Sequence, residues 1–264
     1  MIQVRDLVAR YGDHVVLDGV SLNVQPREVM VIMGQSGCGK STLLRHMIGL
    51  QKPASGVVEI NGADVTQMDE KEYRAFSRSV GVLFQSVGLF NSMTVGANVA
   101  FPLREHTRLA EPVIEIVVKL KLQQVGLSGV EGLMPSELSG GMRKRAGLAR
   151  ALALDPTIIF LDEPTTGLDP IISAGIDDLI RELHDLYKAT MVVVAHDIAS
   201  SMRIADRIAI FRESRLVELG TPEEIRSSSN PYVQQFLTRR ANEREGEAGV
   251  LEYLSRPMGP IDSW

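Results

Sequence analysis

The stretch Gly34-Gln35-Ser36-Gly37-Cys38-Gly39-Lys40-Ser41-Thr42 decides how this chain is read. Gly34, Gly39, Lys40 and Ser41 satisfy G-x-x-x-x-G-K-[ST]. The flanks agree: residues 29–33 are an apolar run of buried-strand type, and Leu43, Leu44, Met47 and Ile48 fall on one face of a following helix. Strand, glycine loop and helix together make a phosphate site. Glycines let backbone N–H groups converge on phosphate oxygens, the helix N-terminus adds its dipole, Lys40 reaches terminal phosphates, and the Ser41 hydroxyl is available to magnesium. A Gly/Ser turn with a chance lysine is the plain alternative, and it leaves both flanks unaccounted for.

Upstream, residues 2–24 alternate apolar and polar around a Tyr11-Gly12-Asp13 turn, which predicts an antiparallel pair, and 57–60, closed by Asn61-Gly62, predicts a third strand of that sheet. Tyr11 is either an aromatic placed to stack on a base or a plain sheet residue. Downstream, 69–77 is helix-prone, and 80–84 is a short strand that delivers Gln85 at its end. From there to about residue 133 the pattern is helical, with Val113, Ile114, Val117 and Leu120 on one face and Gly126 as the stop. Within it, 87–93 is apolar for a loop, which suits either a docking surface or core packing. Strands at 157–161, 191–195 and 207–211 alternate with helices, so the class is α/β with a mostly parallel core. Ile172, Ile176, Leu179, Ile180 and Leu183 form a stripe expected to face that core. Thr221-Pro222-Glu223-Glu224 predicts a helix start.

The 264 residues, 44% hydrophobic, suffice for one large domain or two small ones. A net charge of -5 gives no basic footprint, so no nucleic-acid partner is expected. The single cysteine, Cys38, forbids an internal disulfide. At a helix N-terminus it is either an activated thiol or a small residue tolerated in the loop. No secretory signal is visible at the start, and the longest apolar runs are too short to cross a bilayer, so work at a membrane is expected to go through partners.

Two further stretches carry chemistry. Residues 158–163, Ile-Ile-Phe-Leu-Asp-Glu, read as a buried strand ending in two acids, which is costly unless they face a cation or polar site. Asp162 is expected to hold magnesium, directly or through water. Glu163 is then placed to polarise the water that attacks a γ-phosphate, since phosphoryl transfer is catalysed mainly by positioning and charge stabilisation. Leu138-Ser139-Gly140-Gly141-Met142 opens a helix bearing Arg143, Lys144, Arg145 and Arg150 and describes a second anion site. With one phosphate site already present, the second is expected to close over the nucleotide of another chain.

In order, Gly34 to Ser41, Gln85, Leu138 to Met142, Asp162-Glu163, Thr166-Gly167-Leu168-Asp169 and His196 resemble the full motif set of ABC-transporter ATPase subunits. The resemblance implies a P-loop NTPase of ABC type: a RecA-like core, an antiparallel β-subdomain and a helical subdomain at about 86–155. It implies an ATPase domain over 1–238, ATP and Mg2+ as cofactors, and a second copy of the chain as partner. By this likeness Tyr11 stacks on adenine, Ser41, Gln85 and Asp162 serve the metal, Gln85 links the site to a membrane permease, and Ser139, Gly140 and Gly141 contact the opposite subunit's γ-phosphate. Asp169 communicates across the dimer, and His196, which alone would read as a core histidine, holds the γ-phosphate. Met142 stands where the general family has Gln. With residues 137–155 and 101–107, that departure resembles the ATPase subunit of the Mla phospholipid transporters. This implies MCE-domain and STAS-domain partners, peripheral placement on the cytoplasmic side of a bacterial inner membrane, and lipid as cargo. Residues 239–264 form a C-terminal extension, too polar for a core of its own and too apolar around Val250, Leu251, Tyr253, Leu254 and Trp264 for a solvated tail. It is expected to pack on the second copy or a regulatory partner.

Other readings fit less well. A GTPase would carry Asn-Lys-x-Asp, a P-loop kinase has no use for residues 139–142, and a DNA-maintenance ABC ATPase would show sustained heptads between residues 42 and 138. An ABC transporter of another substrate is the alternative that remains.

Overall fold

Burial separates the strands into two kinds. β1 (Ile2–Tyr11) and β2 (His14–Val24) mix buried and exposed positions, as in a sheet with one wet face, whereas every residue of β3 (Val29–Gly34) is buried. The structure is a computed structural model that describes residues 1–238. The expectations placed on residues 239–264 lie outside the described residues.

After β3 the glycine loop leads into α1 (Lys40–Met47). β4 (Ser55–Ile60) and β5 (Ala63–Asp64) complete an antiparallel sheet in the order β2-β1-β4-β5. α2 (Glu70–Ser77) starts with a reciprocal cap: Glu72 N donates to Asp69 Oδ1 at 2.8 Å, and Asp69 N to Glu72 Oε2 at 2.9 Å. It leads to β6 (Val80–Leu83). Then come α3 (Val95–His106), α4 (Glu111–Gln124), a single tight turn (Pro135–Glu137) and α5 (Gly140–Ala151). The remaining elements are β7 (Ile158–Asp162), α6 (Pro170–Tyr187), β8 (Thr190–Val194), α7 (Ile198–Ile204), β9 (Arg207–Arg212), β10 (Arg215–Gly220) and α8 (Pro222–Arg226).

The second sheet runs β10-β9-β3-β8-β7-β6, parallel except for β10, which pairs antiparallel to β9. The C-terminal ends of β3, β6, β7 and β8 therefore open on one edge, where α/β sheets hold ligands. Ile2, Leu7 and Leu17 of the first sheet, Met30, Ile32 and Phe160 of the second, and Leu43 and Leu44 of α1 share one core. The glycine loop is thereby fixed from both sheets. Met1–Ile225 forms one unit and a second begins at Arg226. The described part of the second is dominated by α9 (Pro231–Thr238), where the rings of Tyr232 and Phe236 lie tilted to each other with centroids 6.2 Å apart.

Two expected faces are corrected. On α4 the buried positions are Ile114, Val118, Lys121 and Leu122, while Val113 and Leu120 are 43% and 52% exposed. The helix is apolar nearly all round, so spacing alone selects no face. On α6, Ile176, Leu179, Ile180 and Leu183 are buried as expected, but Ile172, in the first turn of the helix, is 42% exposed. β10 was not anticipated; its pattern is neither strictly alternating nor wholly apolar.

Candidate nucleotide site

The loop from Gly34 to Gly39 closes so tightly that two of its glycines have no substitute. A Cβ on Gly34 would lie 2.4 Å from Phe211 O, and one on Gly39, whose φ is +98°, would lie 2.6 Å from Val16 O. Gln35, Ser36 and Gly37 are exposed between them. α1 starts from Gly39 with no side chain capping it, leaving its first N–H groups open to a ligand. Lys40, 7% exposed, lies back along the loop, its Nζ donating to Gly34 O at 2.9 Å and Gln35 O at 2.8 Å. Cys38 is buried with Sγ 3.8 Å from Lys40 Nζ. Burial pushes its thiol pKa up against the pull of Lys40, so the reading as an activated thiol is not supported. Thr42 is half-buried beside Ser41.

β7 runs beside this loop, and Ser41 Oγ donates to Asp162 Oδ1 at 3.0 Å. Asp162 is buried, and burial, partly offset by the Ser41 hydrogen bond, raises its pKa above the ordinary carboxylate range. A buried carboxylate beside a hydroxyl is a fitting place for a hard divalent cation. The next residue turns sharply: Glu163 has φ +50°, in the left-handed region. Its Oε2 accepts from Gln85 Nε2 at 3.0 Å and from Thr166 Oγ1 at 2.8 Å, with His196 Nδ1 at 3.8 Å. Gln85, Glu163 and His196, far apart in sequence, thus converge at the ends of β6, β7 and β8. His196 is more than half exposed in its side chain and is not a core histidine.

Tyr11 ends β1 opposite His14, half-exposed, its hydroxyl donating to Gln51 Oε1 at 2.9 Å. Ser139 is exposed and caps α5, accepting from Met142 N at 3.3 Å. A Cβ on Gly140 would come within 3.1 Å of Leu168 and one on Gly141 within 2.7 Å of Ile172, so this element lies against the start of α6. There Asp169 Oδ1 accepts from Ile171 N and Ile172 N, both at 3.0 Å. The Ser139–Met142 group is not among the partners of Lys40, Ser41, Asp162 or Glu163.

Two residues went unrecognised in the sequence. Thr166 was read only within a motif, although it bonds the Glu163 carboxylate. Lys144 was read as one of several helix cations, yet it is buried and donates to Gln85 O and Glu163 O. The available signal was its place among Gly141, Ala146, Gly147 and Leu148, on the inner side of the helix. The 87–93 segment divides. Its backbone is tied inward through Asn98 and through Arg150, which donates to Gly88 O. Phe90 stays 40% exposed over Phe101 and Arg150. Leu50, Tyr73, Phe76, Phe84, Phe101 and Arg150 line an adjoining groove of about 250 Å³.

Residues 17–166 match the family described as ABC transporter. The chain is 43% identical over 237 residues, 90% of each chain, to the intermembrane phospholipid transport system ATP-binding protein MlaF of Haemophilus influenzae. It is 41% identical to MlaF of Escherichia coli K12, over 90% of this chain and 88% of that one. It is 42% identical over 251 residues to the probable ribonucleotide transport ATP-binding protein mkl of Mycobacterium leprae, covering 95% of this chain and 72% of the relative. Among solved structures, a dimeric ATP-binding cassette in a post-hydrolysis state bound to ADP and Pi superposes with a TM-score of 0.78 at 30% identity, covering 84% of this chain and 99% of that one.

Proposed function

Taking as premise that the chain belongs to the ABC transporter family, as its ATP-binding, ATP-hydrolysing subunit, we propose that it energises phospholipid transport between the inner and outer membranes of a bacterium. Cassettes of this family dimerise, and this chain is read as working in pairs. The observation that supports the chemistry best is the Glu163 carboxylate, held within 3.0 Å by Gln85 and Thr166 beside the Ser41–Asp162 pair.

In this reading Gly34 to Thr42 and the open N-terminus of α1 cradle the phosphates, with Lys40 leaving its loop carbonyls for the terminal ones. Tyr11 stacks on adenine. Ser41, Asp162 and Gln85 would hold Mg2+, which supplies charge neutralisation at the phosphates. Glu163 orients and polarises the attacking water, and His196 donates to the γ-phosphate. Ser139, Gly140, Gly141 and Met142 complete the site of the opposite copy, and Asp169 reports on it. Nucleotide-bound chains are therefore drawn together, and loss of phosphate releases them.

Among the described residues no helix is long and apolar enough to cross a membrane, so force has to leave through a partner. A permease helix seated in the groove beside Phe90 is that partner. MCE-domain and STAS-domain proteins complete the assembly, and the chain sits peripherally on the inner membrane's cytoplasmic side. Residues 1–238 constitute the ATPase domain, with 86–155 as its helical subdomain and 239–264 as an extension.

Purified complex reconstituted with labelled phospholipid should move lipid on addition of ATP. Glu163→Gln should keep ATP binding, accumulate the ATP-bound dimer and lose about 10²-fold or more in turnover, the scale of a lost general base. The mkl relatives, named for ribonucleotide transport at 42% identity, favour the second reading, another cargo. Robust ATPase activity with transfer of a nucleotide but no lipid would establish it.

A further inference from the structure

Lys144 sits one turn into α5, behind the Ser139–Gly141 element, and is 5% exposed. Its Nζ donates to Gln85 O at 2.9 Å and to Glu163 O at 3.0 Å, and the Asp162 and Glu163 carboxylates are close enough to favour its charge. Keeping an ammonium this deeply buried costs desolvation that two carbonyls and the two nearby carboxylates offset only in part. A neutral residue would be the cheaper occupant of this position if packing were its only task.

The two carbonyls are those that matter for Glu163. Its left-handed backbone, φ +50°, carries the strain expected of a non-glycine residue there. The turn is held at one end by Glu163 N donating to Val194 O at 2.9 Å, and at the other by Lys144 on Glu163 O. That turn sends the carboxylate toward Gln85, Thr166 and His196. Gln85 O is the matching point on the other strand, where β6 gives way to the loop that carries the Gln85 amide. Further along α5, Gly147 lies against Leu83 and Val87, where a Cβ would come within 2.6 Å of each, and Arg150 donates to Gly88 O. One helix thus grips both ends of the Gln85–Glu163 pair.

We propose that Lys144 is a positioning residue for hydrolysis: it ties the α5 helix to the Gln85 and Glu163 backbones, so that the carboxylate is correctly aimed only when α5 is seated. This rests on the reading of Glu163 as the group that polarises water and of Ser139–Gly141 as the element that engages the partner's nucleotide. Its consequence is that occupancy of the opposite site is conveyed to this chain's own Glu163 through the body of α5.

The test is steady-state kinetics on the full chain in its complex. Lys144→Met should lower kcat about 10- to 100-fold, the range seen when a supporting contact of a reactive group is lost, with KM for ATP changed less than about twofold. In a Glu163→Gln background the same substitution should leave the residual rate unchanged and the ATP-driven dimer intact, since there is no carboxylate left to aim. Lys144→Gln keeps a donor for the carbonyls and should retain kcat within a few-fold, which also provides a reading should the methionine variant not fold. A Lys144→Met enzyme with wild-type kcat, an equal loss in the Glu163→Gln background, or a folded Lys144→Gln as slow as Glu163→Gln would each overturn the proposal. An active Glu163→Gln would instead sink the underlying reading of Glu163, a result separable from any of these.

Discussion

α1 and α5 both start in glycine-rich sequence, but their first turns are left in opposite states. α1 starts from Gly39 with no side chain on its leading N–H groups, and Lys40 is buried against its own loop. α5 starts from Ser139, which is exposed and spends its Oγ on Met142 N. A helix end with unmet donors inside the fold suits a ligand that is part of the chain's own resting equipment. A self-capped end on the surface suits a ligand that arrives from outside and must replace a bond already made. In the proposed function the same anion chemistry would serve twice, once as a container and once as a reader of the partner's contents.

Three substitutions can break or sharpen this contrast. Lys40→Ala strips the container and should lower turnover by at least about 10³-fold, the scale on which a single charged stabiliser of phosphoryl transfer counts, with ATP affinity lost in equilibrium binding. Ser139→Ala acts on the reader. Titration should find single-chain ATP affinity unchanged, while the ATP-driven dimer weakens and the isolated chain loses about 1 kcal/mol of stability with its helix cap. Equal loss of ATP affinity in the isolated chain would erase the distinction between the two helix ends. Asp162→Asn should change the stability of the fold by no more than Ser139→Ala does, and in the opposite direction. It keeps an acceptor for Ser41 Oγ and removes a buried charge, so the nucleotide-free chain should melt a few degrees higher, roughly what 1 kcal/mol is worth at this size, while hydrolysis is lost. A lower melting point would mean that the Asp162 charge is already compensated without nucleotide.

The container was far easier to read in the sequence than the reader's wiring. Around residues 29–48 an apolar strand, a glycine pattern and a helical stripe each restrict the backbone independently, and they agree. α4 offered no such agreement, because Val113, Ile116, Val117, Val118 and Leu120 surround it with apolar side chains and only packing selects which are covered. Gln85, Glu163 and His196 could be placed at strand ends by pattern, but their meeting at one carboxylate follows from strand order, β8-β7-β6, which local sequence does not encode. Lys144 escaped for a different reason. It has basic neighbours on both sides at Arg143 and Arg145, and composition does not tell a lysine whose Nζ reaches two backbone carbonyls from one that extends into water.

Asn98 gives the region beside the groove a mechanical character. Fully buried in α3, it accepts from Phe90 N at 2.7 Å, and its Nδ2 shares two N–H groups among the carbonyls of Phe90 at 3.1 Å, Met93 at 3.1 Å and Thr94 at 2.9 Å. A loop pinned at so many points along five residues has little compliance of its own. A load applied to the exposed ring of Phe90 is therefore delivered to α3 as displacement and not absorbed as bending, so the segment works as a short stiff lever with Asn98 as its rivet.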